Sequence, residues 1–386
     1  MALPACQWTS LRPFVFGSLV ALCFLGLFFT YYQPDFRFPS IGLYLGKGQQ
    51  VCPNVCAEGA KTQNPNSSTE LQISPNPSDA QKIAEVDTEP DTIVLIWMWP
   101  FGQRFDVNCG VYNITKCHLT NDKTVYHKAH GVLFHHRDIH GNGGNMPQEP
   151  RPLFQKWVWF NMESPANSGR MPYLDRLVNL TCNYRLDSSI PVPYGYLEPL
   201  TSVDESFKLP AKDKLVCWIV SNWNARYKRV EYYNELKKHI EINAYGNAFA
   251  KGVSDKEYSK IVSSCKFYLS FENSIFKDYI TEKLYLPMMK GSVPVVLGPP
   301  RQNYEDHVPP GSFIHIDDFS SPKELAERLR YLDQHESEYM SYFDWTRSYK
   351  VKRAAFGKEH ACRTCRYLQH HKEYQSFHDL NKWYWG

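Results

Sequence analysis

Short apolar runs alternate with polar turns along much of the chain, and the pattern is clearest between residues 267 and 298. Phe267–Phe271 and Ser292–Leu297 have the length and composition typical of buried strands. Polar residues crowd the intervening Glu272–Lys283 stretch, on the turn that opens a predicted helix. We therefore predict a right-handed βαβ unit whose helix N-terminus could hold a diphosphate. The same polar residues would also suit a solvated loop with salt bridges.

Three further apolar runs precede this unit, and polar residues follow each of them. The runs are Thr92–Met98, Gly131–Phe134 and Trp157–Asn161. Polar residues at the carboxyl ends of such strands predict an open α/β sheet with a site along one edge. Glu163 follows the third run and is a candidate general base, since partial burial raises the pKa of a carboxyl group. On the sequence alone, a glutamate that caps the next loop is the more ordinary interpretation.

The cluster His135-His136-Arg137-Asp138 directly follows the second run and contains residue types that bind metals. Neighbouring residues on a strand point to opposite faces of the sheet. His135 and His136 are therefore poorly placed to share one ion.

A second α/β domain is predicted from about residue 196. Leu215–Ser221 and Ile240–Ala244 have strand-like composition, and a helix is predicted between them over residues 229–239. Phe313–Ile316 is a further strand, and the sequence SPKE at 321–324 opens a helix with a capping box.

The N-terminal segment contains one uncharged stretch long enough to span a bilayer, PFVFGSLVALCFLGLFFT. We assign residues 1–12 to a cytoplasmic tail, 13–31 to a transmembrane signal anchor and 32–90 to a flexible luminal stem rich in Pro, Asn and Ser. Arg12 on the short side orients the N-terminus to the cytoplasm. A cleaved signal peptide is the alternative, but no small-x-small cleavage site follows the apolar stretch.

The 11 cysteines fit an oxidising compartment. Cys6 and Cys23 belong to the tail and the anchor, so the other cysteines are luminal, where disulfides form. The sequence CRTC at 362–365 is also half of a zinc motif, but no second half follows, and disulfides are favoured. Cys52 and Cys56 in the stem could cross-link a dimer, and Cys182 has no assigned partner.

Glycosylation sequons begin at Asn66, Asn113 and Asn179, as expected for a luminal chain. The net charge is only +3, and no block of Lys and Arg suggests a nucleic-acid partner. Aromatic residues make up 15% of the chain, which suits sugar stacking but also an ordinary aromatic core.

The sequence FYLSFENSIFKDYITEKLY, followed by GSVPVVLG, resembles the donor-binding signature of the animal α1,3-fucosyltransferases, a family of inverting Golgi enzymes. The resemblance covers the chain from about residue 92 to its last residue. It implies the GT-B fold, in which two Rossmann-like α/β domains face each other across a cleft. We assign residues 91–195 to the acceptor domain, with 351–386 folding back on it, and 196–350 to the donor domain.

The family signature implies contacts to GDP-fucose, which is a co-substrate. By motif, the donor contacts are Tyr194, Ser221, Asn222, Arg229, Tyr268, Asn273, Tyr279, Glu282 and Lys283. Pro287 inside the central helix departs from the family pattern and is expected to kink that helix. Glycosyltransferases that hold the nucleotide through a divalent ion usually have an Asp-x-Asp motif. This sequence has none. We therefore expect no essential metal and no other cofactor.

The resemblance also implies roles for residues of the first domain. FNMESP places Glu163 where the family has its catalytic base, and Gln103, His136 and Arg137 match acceptor contacts. Family members that also make α1,4 linkages have Trp where this chain has Arg137, so α1,3 transfer to type 2 chains (Galβ1-4GlcNAc) is implied. The implied disulfides are Cys109–Cys362, Cys117–Cys365 and Cys217–Cys265.

Within the family, the stretches QKW–ESP, PYG, VSNWN and EYQS most resemble the branch that builds Lewis x on terminal LacNAc. The expected acceptors are N-glycans, O-glycans and glycolipids that end in LacNAc, in the trans Golgi membrane. A homodimer is a further expectation. Two other functions fit parts of the sequence: a glycoside hydrolase (fucosidase), which would need a second carboxylate near Glu163, and a non-catalytic membrane-anchored LacNAc-binding lectin.

Overall fold

A computed structural model describes residues 91–386 of the chain. The predicted anchor, the stem, Cys52, Cys56 and Asn66 lie outside the described residues. Within residues 91–386, no helix is long and apolar enough to cross a membrane.

The first sheet has six parallel strands in the order β2-β1-β3-β4-β5-β6. Its strands are β1 (Thr92–Ile96), β2 (Cys117–Thr120), β3 (Gly131–His135), β4 (Lys156–Asn161), β5 (Leu180–Asn183) and β6 (Ile190–Pro191). Strands β3 and β4 are buried along their whole length, which explains their continuous apolar and aromatic sequences.

The second sheet has five parallel strands in the order β12-β11-β10-β8-β9. Its strands are β8 (Lys214–Ile219), β9 (Asn243–Tyr245), β10 (Cys265–Phe271), β11 (Val293–Leu297) and β12 (Ile314–His315). The βαβ unit that the sequence predicts forms the centre of this sheet, with β10 paired in parallel to β11. Two parallel α/β sheets confirm the predicted fold class and are consistent with the GT-B arrangement.

Eight α-helices occur between residues 91 and 386. They are α1 (Lys228–Leu236), α2 (Asp255–Ser264), α3 (Glu282–Met289), α4 (Arg301–Glu305), α5 (Pro322–Gln334), α6 (Glu336–Ser341), α7 (Lys358–His370) and α8 (Leu380–Trp385). Helix α5 has the predicted Ser321 cap and buries Leu325, Leu329 and Leu332 in the second sheet's core. Helix α3 contains Pro287 and ends shortly after it, at Met289.

The C-terminal part of the chain returns to the first sheet. Helix α7 packs against β1 and β2, and two disulfides, Cys109–Cys362 and Cys117–Cys365, hold it there. Strand β13 (Tyr349–Arg353) pairs antiparallel with β7 (Gly195–Pro199). Cys217–Cys265 joins β8 to β10, so the three disulfides that the resemblance implies are all present. Among the described cysteines only Cys182 is free, and it is buried.

Several element bounds differ from the sequence prediction. Helix α1 ends at Leu236, and Ile240 enters the core from the turn that follows, so β9 begins only at Asn243. Strand β12 is two residues long because only Ile314 and His315 pair with β11. The sequence prediction missed five short strands, β2, β5, β6, β7 and β13, and all of them except the two-residue β6 contain polar residues.

Candidate active site

The carboxyl ends of strands from both sheets border one cavity of about 460 Å³. Residues after β1 and β4 and the last residue of β3 approach it from the first sheet, and residues after β8 and β10 approach it from the second. Its lining consists of Phe101, Gln103, His135, Met162, Glu163, Tyr194, Asn222, Asn273, Tyr279, Thr281, Glu282, Lys283 and Phe356. This is the position where open α/β sheets bind their ligands.

Glu163 lies just beyond the end of β4 and is half-buried. Its backbone N–H donates to Asn161 Oδ1 at 3.2 Å, and its backbone carbonyl accepts a hydrogen bond from the Tyr384 hydroxyl. Both contacts hold the main chain and leave the side chain free. Within the described part of the chain, the Glu163 carboxylate has no hydrogen-bond or ion-pair partner. It is therefore available to accept a proton from a bound hydroxyl group.

Lys283 provides the positive charge of the opposite wall. Its Nζ lies 3.2 Å from Glu272 Oε2 and 3.1 Å from Glu282 Oε1, and it donates to Thr281 Oγ1 at 2.8 Å. Burial opposes the charge on Lys283, but the two carboxylates outweigh it and raise its pKa to about 12. The ammonium group therefore stays charged at every physiological pH.

The two carboxylates beside Lys283 differ in exposure. Glu272 is buried and accepts from both the backbone N–H and the hydroxyl of Thr281 at 2.8 Å. Burial raises the pKa of Glu272, although Lys283 opposes this shift. Burial also disfavours the ionised form of Glu282, but Lys283 outweighs burial and holds the Glu282 pKa below its usual value. Lys283 already has two anionic neighbours, Glu272 and Glu282. A bound diphosphate would therefore share the positive charge of Lys283 with these two carboxylates.

Polar contacts join the loop after β10 to the first domain beside this cavity. Ser274 Oγ donates to Ser164 Oγ at 2.7 Å, and Leu186 N donates to Asp278 Oδ2 at 3.1 Å. These contacts fix the loop that carries Asn273 and Tyr279 against the residues around Glu163.

The structure brings six of the nine predicted donor residues to the cavity and leaves three outside its lining. Those at the cavity are Tyr194, Asn222, Asn273, Tyr279, Glu282 and Lys283. Ser221 is exposed and its hydroxyl accepts from Asn247 N at 3.4 Å. Tyr268 is buried, and its ring packs against that of Tyr258.

Arg229, the third predicted donor contact outside the lining, lies behind the cavity wall. It is 3% exposed and donates to the backbone carbonyls of Asn222 and Phe271, which lie after β8 and at the end of β10. The Arg229 guanidinium therefore connects the loop after β8 to the end of β10. Its Nε has no partner among the described residues.

Of the two histidines at the end of β3, His135 lines the cavity and the predicted acceptor contact His136 does not. His136 is buried, its Nδ1 accepts from Trp159 Nε1 at 3.1 Å, and burial lowers its pKa to about 4. His135 lines the cavity instead, with Nδ1 2.7 Å from Asp138 Oδ2. Arg137 is exposed and donates to Asn167 O at 2.9 Å, outside the lining. Gln103 lines the cavity as expected.

An aromatic pair at the cavity was not predicted from the sequence. Phe101 and Phe356 stack with ring centroids 6.0 Å apart, and 50% of Phe101 is exposed. Phe101 adopts a left-handed conformation (φ 53°), and its backbone N–H donates to Asp138 Oδ2 at 2.8 Å. A bulky residue held in a left-handed conformation often marks a functional site. The sequence does not indicate that Phe101 adopts this conformation.

No group of three His, Cys, Asp or Glu side chains arranged to hold a metal occurs in residues 91–386. The two sequons in this range differ in their surroundings. Asn113 is exposed, whereas Asn179 is 5% exposed and its amide nitrogen donates to Gln375 O at 2.7 Å.

The sequence matches two protein-family models that together cover most of the chain. Residues 89–195 match "Fucosyltransferase, N-terminal", and residues 209–383 match "Glycosyltransferase family 10 (fucosyltransferase) C-term". A cavity between two parallel α/β sheets, with a free carboxylate on one wall and an ammonium group on the other, is consistent with that class of enzyme. The chain belongs to glycosyltransferase family 10, the fucosyltransferases.

Individual relatives agree with this assignment. The chain is 52% identical over 298 residues to 4-galactosyl-N-acetylglucosaminide 3-alpha-L-fucosyltransferase 9 of Homo sapiens and of Mus musculus, covering 77% of this chain and 83% of each relative. It is 40% identical over 315 residues to 3-galactosyl-N-acetylglucosaminide 4-alpha-L-fucosyltransferase FUT3 of Pan troglodytes, covering 80% and 84%. A crystal structure of an alpha1,3-fucosyltransferase with GDP-fucose aligns with TM-score 0.49 and 16% identity, over 77% of this chain and 96% of the other. The 52% identity to enzymes named type 9 confirms the predicted resemblance to the animal α1,3-fucosyltransferases.

Proposed function

We propose that this protein transfers L-fucose from GDP-β-L-fucose to the 3-hydroxyl of GlcNAc in Galβ1-4GlcNAc chains, with inversion, and so forms Lewis x. The observation that carries this proposal is the partner-free Glu163 carboxylate, which shares a cavity with Asn222, Asn273 and Lys283 of the other domain. The relatives at 52% identity, whose name states 3-α-fucosyl transfer to a 4-galactosyl-N-acetylglucosaminide, support the same reaction.

In the proposed mechanism, Glu163 accepts the proton of the GlcNAc 3-hydroxyl as that oxygen attacks the anomeric carbon of fucose. Attack comes from the face opposite GDP, so a single displacement converts the β-linked donor into an α-linked product through an oxocarbenium-like transition state. The Asn161 and Tyr384 contacts hold the Glu163 backbone and keep the carboxylate facing the cavity.

Departure of GDP is assisted by protein groups in this proposal. Lys283 supplies a permanent positive charge, and the N-terminus of α3 supplies the positive end of the helix dipole. Both stabilise negative charge as it develops on the diphosphate. We therefore propose that transfer needs no divalent metal. Glu282, which carries a negative charge, would accept hydrogen bonds from sugar hydroxyls.

We further propose that the protein is a single-pass type II membrane protein of the trans Golgi, anchored through residues 13–31, with its catalytic part in the lumen. Its acceptors there would be N-glycans, O-glycans and glycolipids that end in LacNAc. A homodimer linked through the stem belongs to the same proposal. Neither the hydrolase nor the lectin is supported. In the cavity, the second carboxylate that a hydrolase needs would have to be Glu282, which is paired with Lys283.

The test is transfer from GDP-fucose by residues 60–386 in the presence of EDTA. The acceptors are Galβ1-4GlcNAc, its α2,3-sialylated form and Galβ1-3GlcNAc. We expect product on the neutral Galβ1-4GlcNAc acceptor and none on Galβ1-3GlcNAc. Transfer to Galβ1-3GlcNAc would contradict the acceptor preference that the family resemblance attaches to Arg137, and strict dependence on added Mn²⁺ would contradict the metal-free proposal. Release of free fucose from Lewis x without GDP-fucose would indicate the hydrolase instead.

A further inference from the structure

A second cavity, of about 650 Å³, lies beside helix α7 and shares no lining residue with the active site. Its walls come from the 111–114 turn, from the 189–191 edge of the first sheet, from β7 and from α7 itself. The volume falls within the range of about 300–1,000 Å³ that is usual for small-molecule sites. The catalytic mechanism does not use this cavity.

The exposed sequon residue Asn113 is part of the lining of this cavity. It lies midway between Cys109 and Cys117, and both of these cysteines are bonded to α7. Arg366 Nη2 donates to the Tyr112 carbonyl at 2.6 Å, and Gln369 Nε2 donates to the Thr115 carbonyl at 2.8 Å. The point of attachment for a glycan is therefore fixed relative to the cavity.

The other walls have the chemistry of a carbohydrate site. The half-buried rings of Tyr112, Tyr196 and Tyr367 offer flat apolar surfaces against which the C–H faces of a sugar ring can pack. Glu359 and Arg363 form a 2.5 Å ion pair, and Arg363 Nη1 also donates to Pro191 O at 3.0 Å. Aromatic walls with a few fixed polar groups favour an amphipathic ligand with many hydroxyl groups.

We propose that the N-glycan on Asn113 folds back onto the protein and that the two GlcNAc residues of its core occupy this cavity. The glycan then bridges α7, β7 and the edge of the first sheet, and adds a non-covalent link where the two disulfides hold the C-terminal part of the chain. The proposal requires passage through the lumen of the secretory pathway, but it does not depend on transferase activity.

The experiment uses the full chain secreted or solubilised from animal cells, with site occupancy read by glycopeptide mass spectrometry. Native protein is treated with peptide-N-glycosidase F, and release at Asn113 is followed over time. We expect Tyr367→Ala, which removes one wall, to accelerate release at least tenfold over the wild type. The matched control is Tyr331→Ala. Tyr331 of α5 stacks on His335 with ring centroids 3.7 Å apart, much as Tyr367 stacks on His371 at 4.1 Å, but Tyr331 lies outside the cavity.

A second measurement does not rely on the tolerance of the fold to Tyr367→Ala. Thr115→Ala removes the sequon at an exposed position and leaves the cavity walls unchanged. We expect hydrogen–deuterium exchange in this variant to increase in segments 109–117 and 358–371 and to remain unchanged around α5. An unoccupied Asn113, equal release rates in the wild type and Tyr367→Ala, or unchanged exchange in Thr115→Ala would each overturn the proposal.

Discussion

Ser274 Oγ donates a 2.7 Å hydrogen bond to Ser164 Oγ, and so joins the loop after β10 to the residue that follows Glu163. Ser164 is buried and also accepts from Asn167 Nδ2 at 3.1 Å. The contact lies between the proposed base in one domain and Asn273 in the other. It therefore helps to set the distance between acceptor and donor, on which a single displacement depends.

Ser274→Ala is expected to lower kcat/KM about fivefold, because losing a partly buried hydrogen bond costs about 1 kcal/mol and loosens the junction. The control is Ser263→Ala, which removes a 2.7 Å hydrogen bond from Ser263 Oγ to Ser259 O within α2, away from the cavity. Both variants should lose similar unfolding free energy in urea, and only the first should lose activity. Equal activity in the two variants would show that the serine contact does not position the reactants.

Tyr384→Phe removes the hydroxyl that donates to the Glu163 carbonyl. We expect kcat to fall several-fold with little change in the KM for GDP-fucose, because the base loses its orientation and the donor wall is untouched. Tyr126→Phe is the matched control, since the Tyr126 hydroxyl donates at 3.4 Å to Glu149 O, outside the cavity. Initial-rate kinetics that show a change in KM alone would contradict this role.

Lys283→Met should weaken GDP binding at least tenfold, because the cavity loses its charged donor. It should also destabilise the fold by about 3 kcal/mol, since buried Glu272 loses its ion-pair partner. Lys277→Met is the control. Lys277 pairs with Asp187 at the surface, where such pairs contribute about 0–1 kcal/mol. Calorimetric titration with GDP measures the first effect, and an unchanged affinity in Lys283→Met would exclude Lys283 as a diphosphate contact.

Asp278 gives the fold a stability that depends on pH. Burial alone would raise its pKa, but its contacts with His307, Asn303 and Leu186 lower it from 3.8 to about 2. A folded-state pKa below the unfolded value adds stability above about pH 4, and this stability is lost as the pH falls towards 2. The contribution at neutral pH is about 2 kcal/mol.

Asp278→Asn isolates this charge, because asparagine also tolerates the left-handed conformation of residue 278 (φ 60°). We expect the wild type to be more stable than Asp278→Asn by about 2 kcal/mol at pH 6, with the difference shrinking as the pH approaches 2. Urea unfolding at several pH values measures it. A difference that stays constant across this range would contradict the assignment.

The strands predicted correctly from sequence are those whose apolar composition matches their buried position in the sheet. Strands β3, β4, β10 and β11 are mostly apolar because both faces are buried, and sequence alone reveals this. Strand β5 (LTCN) is just as buried, but its side chains are partly polar and find partners such as Ser189 that only the fold brings near. No periodicity in four residues indicates such a strand.

Less of the site than of the fold can be predicted from the sequence. Glu163, Gln103 and Lys283 follow strands or open a helix, so their position along the chain already predicts that they reach the cavity. The choice between His135 and His136 depends on where β3 ends and the next turn begins, and a shift of one residue reverses the face. Phe356 reaches the cavity from the C-terminal part of the chain, a contact that requires the tertiary fold.

The most informative single measurement is the turnover of Glu163→Gln beside its affinity for GDP. The Glu163 carboxylate has no structural partner in the described residues, so the variant should fold and bind GDP within about twofold of the wild type. Removal of a general base should lower kcat by about 10²–10⁴. Glu149→Gln, a change at an exposed carboxylate of the same domain, should leave both quantities unchanged. Near-normal turnover of Glu163→Gln would contradict the mechanism and place the base elsewhere.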